Sequence, residues 1–125
     1  MKLGTIIDSR FHEALNKLSQ QPLPLKTAFK LKGISKAVRD EYAKYEEVRQ
    51  LALQKHGLKN DDGSLQLDDT NNVKFSAEGM KEFVAELGEL TAMDVSLPSV
   101  KVSELGNISV TLSDVELLDG VVVDG

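Results

Sequence analysis

The amino-acid sequence predicts an α+β fold: three helices, one of them long and amphipathic, and a small, mainly antiparallel sheet toward the C-terminus. Two observations predict this class. Apolar residues recur at helical spacing, i, i+3, i+4 and i+7, in three segments that together reach residue 90. After Thr91 the apolar residues alternate with polar ones, which is the pattern of half-buried strands.

The first two predicted helices are separated by prolines. Ser9 is a candidate N-cap for the first helix, whose apolar positions are Phe11, Ala14, Leu15 and Leu18. Pro22 and Pro24 end it, because proline pushes the preceding residue out of the helical region. No proline interrupts residues 25–56. This stretch predicts one long helix with apolar residues at near-heptad spacing: Leu31, Ile34, Val38, Tyr45, Val48 and Ala52.

The rest of the chain predicts a turn, a third helix and strands. Residues 60–63 are typical of a tight turn, followed by a short strand at 65–67 that favours a hairpin with the residues around Val73. Ser76 is the candidate N-cap of a helix with apolar positions Met80, Phe83, Val84, Leu87 and Leu90. Strands are predicted over about residues 92–112, around a turn at Leu105, Gly106 and Asn107.

Length, charge and the absence of cysteine restrict the class of protein. A chain of 125 residues matches a single domain, residues 1–125, and is long enough to bury a core. Its formal net charge of -5 disfavours broad attraction to nucleic acid or anionic lipid. The absence of cysteine favours a reducing compartment, and no apolar stretch approaches the roughly 20 residues that span a bilayer. These features predict a cytoplasmic protein without membrane contact.

No motif in the sequence indicates catalysis. The two histidines, His12 and His56, lie in different predicted helices without a histidine or cysteine nearby to complete a metal site. The acidic turn around Gly63 fails the register of a calcium loop, because the first ligand position falls on Leu58. The glycines are isolated, and no serine stands in a nucleophile elbow. We therefore predict a non-enzymatic protein with no metal and no cofactor.

The charge layout of the long helix is the feature most informative about function. Basic residues without any acid occupy its first half: Lys26, Lys30, Lys32, Lys36 and Arg39. Acids crowd its second half: Asp40, Glu41, Glu46 and Glu47. This order opposes the helix dipole, which favours acids near the N-terminus. One interpretation is a solvated face whose lysine and arginine stems cover apolar neighbours.

Two functional interpretations stand beside it, and they do not exclude each other. The first is a homo-oligomer in which the basic half of the helix meets the acidic half of an antiparallel copy. Its predicted interface residues are Ile34, Val38, Tyr42, Tyr45 and Val48. The second is an anion site, for phosphate or a nucleotide, with predicted ligand-binding residues Lys26, Lys30, Lys36 and Arg39.

Several short segments in order carry a resemblance to a known group of proteins. They are the leucine pair in 14–18, the proline joint in 23–26, the charged helix in 42–49, a phenylalanine-containing helix, and the ending Leu112, Ser113, Asp114 and Val115. In this order residues 8–118 resemble small uncharacterised phage and prophage accessory proteins. The resemblance implies a phage accessory protein and supplies no catalytic residues.

The resemblance also implies two classes of function. Such proteins bind a host protein or sequester a signalling nucleotide to disarm host defence, or they help to build the virion. We therefore predict a binding protein that antagonises a host factor, through a small anionic ligand or a host protein. The alternative is a virion structural or assembly protein that acts through subunit contacts.

Overall fold

A computed structural model describes residues 1–106, 108 and 110–123, and this part of the chain is mainly helical. Its helices are α1 (Leu3–Ile6), α2 (Ser9–Ser19), α3 (Leu25–His56), α4 (Ala77–Thr91) and α5 (Leu112–Leu117). Two short strands, β1 (Val100–Lys101) and β2 (Val122–Val123), pair in parallel, with Val100 opposite Val122. The prediction of three helices with a mainly antiparallel sheet is therefore wrong.

Within the described ranges, none of the helices combines the length and apolar composition that crossing a bilayer requires.

The predicted strands over residues 92–112 are replaced by other structure. Asp94 forms a single antiparallel bridge with Lys2, and Val102–Glu104 form a 3-10 turn. Leu112 does not end a strand but begins α5, because the Thr111 hydroxyl accepts a hydrogen bond from the Asp114 backbone N–H at 3.2 Å. Asn107 of the predicted turn and Ser109 of the predicted strand lie outside the described residues.

The start of each longer helix follows from local chemistry. Asp8, and not Ser9, caps α2: its carboxylate accepts from the Arg10 backbone N–H at 2.9 Å. Pro24 precedes α3, and its carbonyl accepts the first helical hydrogen bond, from Ala28 N–H at 2.9 Å. The Ser76 hydroxyl caps α4 as predicted, accepting from the Gly79 N–H at 3.0 Å.

Backbone contacts divide the chain into two compact units. Unit 1 consists of Met1–Tyr42 and Ala92–Gly125, and unit 2 of Ala43–Thr91. The helix α3 contributes residues to both. The organisation of residues 1–125 as a single domain stays a prediction.

Unit 1 has a well-buried apolar core. Its fully buried large side chains include Phe11 and Leu18 of α2, Leu31, Ile34 and Val38 of α3, and Val100 and Val121 near the small sheet. One residue, Glu104, receives bonds from the first turns of α3: the buried Thr27 hydroxyl donates to its carbonyl, and the Lys30 ammonium pairs with its carboxylate. The Lys101 N–H donates to the same carboxylate at 3.0 Å. These bonds tie the beginning of α3 to the 3-10 turn.

Unit 2 joins the second half of α3 to α4 through a hairpin-like segment. Antiparallel bridges pair Lys59 with Leu65 and Leu67 with Val73, so the predicted pairing around residues 65–67 is present as bridges instead of extended strands. Gly63 has a φ of 87°, a left-handed conformation that glycine adopts without strain, at the predicted turn. The rings of Phe75 and Phe83 lie 4.9 Å apart and connect this segment to α4.

We expect Glu104→Gln to lower the melting temperature of the protein at neutral pH. The Lys30 ammonium, followed by the Lys101 N–H, holds the pKa of Glu104 below its usual value. A lowered folded-state pKa stabilises the folded chain above the unfolded pKa of about 4.3, and this contribution is lost as the pH falls through the folded value. The difference from wild type should therefore shrink as the pH is lowered past about 4.

Thermal melts of wild type, Glu104→Gln and the control Glu116→Gln across this pH range measure the effect. Glu116 is an exposed residue of α5 with no side-chain partner among the described residues. A difference between wild type and Glu104→Gln that does not change with pH would contradict the prediction.

Candidate functional site

A groove of about 480 Å³ lies between α2 and the first half of α3, within unit 1. Its floor is apolar and comes from both helices: Leu15, Ala28, Leu31 and Val38. Leu31 and Val38 are almost fully buried because their other faces pack in the core. The volume falls in the range of small-molecule sites, about 300–1,000 Å³.

The walls of the groove are polar, and none of the described residues that line it is acidic. One face of α2 supplies His12, Asn16 and Ser19, which lie at i, i+4 and i+7 and so line one side of a helix. The facing stripe of α3 supplies Lys32, Ser35 and Arg39, again at i, i+3 and i+7. Guanidinium, ammonium, amide and hydroxyl groups all donate hydrogen bonds. The groove therefore favours an anionic ligand.

The two cations of the groove are not neutralised by the protein. Among the described residues, no side-chain hydrogen bond or ion pair engages Lys32 or Arg39. Other basic residues of α3 do have acidic partners: Lys30 pairs with Glu104, and Lys36 donates to Asp40 at 3.0 Å. An unpaired cation retains its full capacity to bind an anion.

His12, which lines the same groove, carries an unsatisfied polar atom. Its Nε2 is buried and has no hydrogen-bond partner among the described residues. The ring is held at right angles to two aromatic side chains, with centroids 6.0 Å from Phe11 and 5.6 Å from Tyr42. Most buried polar atoms in proteins have a partner, so a nitrogen without one is a candidate ligand contact.

The structure places the four predicted ligand-binding residues in different surroundings. Arg39 lines the groove, and Lys30 and Lys36 are engaged by Glu104 and Asp40. Lys26 is exposed and does not line the groove. Lys32 lines it although it was not among the four selected residues. The missed signal was the match between two polar stripes, one on α2 and one on α3.

The predicted interface residues differ in how far they are exposed. Ile34 and Val38 are fully buried in the core of unit 1, so their side chains are not available to a second copy. Tyr42 and Val48 are about two-fifths exposed, and Tyr45 is half-buried. A role of these three residues in self-association stays a prediction.

A second cluster of charged side chains lies in unit 2. The His56 ring stands between two carboxylates of α4, with Nδ1 3.3 Å from Glu82 Oε2 and Nε2 3.1 Å from Glu86 Oε2. Lys55 donates to Glu86 at 2.7 Å, and Lys55, then His56, hold the pKa of Glu86 below its usual value. In the part of the chain that the structure describes, no group of three or more His, Asp or Glu residues is placed to hold a metal ion. The contacts of Lys55 and His56 with Glu82 and Glu86 tie the end of α3 to α4.

Comparison with known proteins gives no relative for this arrangement. No protein-family model matches the chain, no curated protein matches it, and no solved structure matches it. A proposal about function therefore rests on the groove itself, and the resemblance to phage accessory proteins stays a prediction.

Val38→Ala should lower the free energy of unfolding by about 2 kcal/mol, because the side chain is fully buried and its truncation leaves a cavity. Val48→Ala is the matched control on the same helix. Its side chain is 43% exposed, and we expect a change within about 0.5 kcal/mol. Chemical denaturation of both variants measures this difference. Equal effects would contradict the placement of Val38 in the core.

Proposed function

We propose that this chain is a non-enzymatic binding protein and that the groove of unit 1 holds a small ligand bearing phosphate or another anionic group. The observation that carries the proposal is the pair of unpaired cations, Lys32 and Arg39, in a groove without acidic lining. The planar guanidinium of Arg39 suits bidentate contact with phosphate oxygens, and Lys32 supplies a mobile point charge. The unsatisfied His12 Nε2 supports the same proposal.

The biological role that we propose follows the predicted class. A phage-type accessory protein in the host cytoplasm would antagonise a host factor by sequestering a phosphorylated signalling molecule. A groove that binds without transforming its ligand suits this role, since stoichiometric capture needs tight binding and no catalytic group. The apolar floor and polar walls match the usual composition of small-molecule sites.

Titration calorimetry with inorganic pyrophosphate and with a 3′,5′-cyclic nucleotide tests the proposal. We expect binding that weakens as salt is added, because exposed charges are screened. The double variant Lys32→Gln, Arg39→Gln should bind about 100-fold more weakly, since each charge-assisted hydrogen bond contributes about 1.5–3 kcal/mol and partial compensation is common.

The matched control is the double variant Lys26→Gln, Lys81→Gln. It removes the same charge from two exposed lysines that do not line the groove. We expect its affinity to stay close to that of wild type, with circular dichroism showing that both variants are folded. If neither probe binds wild type, or if both double variants weaken binding equally, the groove is not the site.

A second candidate function, virion assembly through subunit contacts, is favoured by unit 2. All residues of α4 are described, and none of them is fully buried. Val84 is 58% exposed, and Leu51 of α3 is 68% exposed. These exposed side chains on two helices of one small unit provide apolar area that another chain could cover. We propose that this surface mediates self-association.

Leu51→Glu should shift the protein toward the monomer in sedimentation at micromolar concentration, because it places a charge on the apolar surface. Gln54→Glu introduces the same charge on an exposed polar position of the same helix and should leave the mass unchanged. A wild-type protein that is monomeric at every concentration measured would rule out this second function and leave the ligand-binding proposal intact.

A further inference from the structure

The two cations of the groove stand two helical turns apart on α3. Arg39 follows Lys32 by seven positions, which places their backbone positions about 10 Å apart along the helix axis and on the same face. Each cation therefore marks a different part of the groove. Like charges repel, so without a ligand the two side chains are favoured to point apart instead of converging.

The α2 wall places a different polar residue toward each end of the groove. The His12 ring contacts Tyr42, which follows Arg39 by one helical turn, so His12 lies toward the Arg39 end. Ser19 ends α2 and is joined to α3 by only five residues, 20–24, so it lies toward the beginning of α3 and the Lys32 end. Each end of the groove thus holds one unpaired cation, with His12 on the Arg39 side and Ser19, whose hydroxyl donates to the Leu15 carbonyl at 2.9 Å, on the Lys32 side.

Between these ends the described residues that line the groove are uncharged. Leu15 and Leu31 form the floor there, with Asn16 and Ser35 on the walls beside them. An anionic group placed over this floor would lose hydration without gaining an ionic partner. The middle of the groove therefore favours an uncharged part of a ligand.

We infer that the groove binds an elongated ligand with two anionic groups about 10 Å apart, joined by an uncharged linker. One anionic group lies at Arg39, on the His12 side of the groove, and the other lies at Lys32, on the Ser19 side. This inference rests on the proposed anion-binding function and adds the spacing and number of the charges. A molecule with phosphates at both ends of an uncharged body has this chemistry.

A series of alkane bisphosphonates tests the spacing. Their two phosphonate groups lie from about 3 to about 13 Å apart, which brackets the distance between residues two turns apart on a helix. Methylphosphonate is the probe with a single anionic group. We expect affinity in titration calorimetry to pass through a maximum near 10 Å and to exceed that of methylphosphonate by at least about tenfold, because the second group then binds intramolecularly.

The single variants Lys32→Gln and Arg39→Gln separate the two ends. Each should reduce the affinity for the optimal bisphosphonate to about that of methylphosphonate, while methylphosphonate retains binding at the remaining cation. Lys26→Gln, which alters a lysine outside the groove, should preserve the maximum. Circular dichroism establishes that the variants are folded, as expected for changes at exposed side chains.

The outcomes distinguish this inference from the function on which it rests. If methylphosphonate binds as tightly as every bisphosphonate, and each single variant weakens both, the two cations close on one anion. The groove is then an anion site, and the two-ended ligand is wrong. If no phosphonate binds wild type, both the inference and the proposed function fail.

Discussion

The bonds that converge on Glu104 are the interaction on which the arrangement of unit 1 depends. Its carbonyl accepts from the buried Thr27 hydroxyl, and its carboxylate binds both the Lys30 ammonium and the Lys101 N–H. The contacts from Thr27 and Lys30 connect residues more than 70 positions apart in the chain, so they fix the beginning of α3 against the C-terminal segment. Once the helix is fixed there, its helical period decides which side chains enter the core and which line the groove.

The basic residues of α3 include two groups, those paired with an acid and those that line the groove. Lys30 faces Glu104 and is neutralised, and Lys36 is paired one turn along its own helix with Asp40. Lys32 and Arg39 share the face turned to α2, where the groove offers no acid. A basic segment that appears uniform in the sequence therefore contains structural cations and cations available to a ligand. The face of the helix on which each basic residue lies decides between these roles, and the local density of charge does not.

Much of the helical framework could be predicted from the sequence because it depends on local signals. Pro24 before α3 and Ser76 before α4 mark their beginnings in the residue types themselves. The structure of residues 92–112 could not be predicted in this way. Alternating apolar residues there satisfy the pattern of a strand, but Met93, Val102 and Val110 are exposed. Val100 is buried through a long-range contact, because it lies beside Val121. A periodic pattern does not indicate which part of the chain packs against the apolar residues.

The candidate site shows the same limit. Arg39 was identified from the basic half of α3, but Lys32 was passed over, and His12 was treated only as a candidate metal ligand. The stripe of His12, Asn16 and Ser19 on α2 becomes meaningful only beside the stripe of Lys32 and Arg39 on α3. Each stripe alone is an ordinary solvated helix face. Their juxtaposition depends on the tertiary structure.

Burial changes along α3 in a way that separates the two proposed functions. In unit 1 the apolar residues Leu31, Ile34 and Val38 of α3 are buried in the core. Polar residues of this part of the helix line the groove. In unit 2 Val48 and Leu51 remain exposed. Ligand binding and self-association would therefore use different residues of one helix and different forces, since the first depends on charge and the second on apolar area. Because the residues differ, the two functions would not compete for the same surface. Removing the charges of Lys32 and Arg39 would then alter ligand binding, and adding a charge at Leu51 would alter self-association.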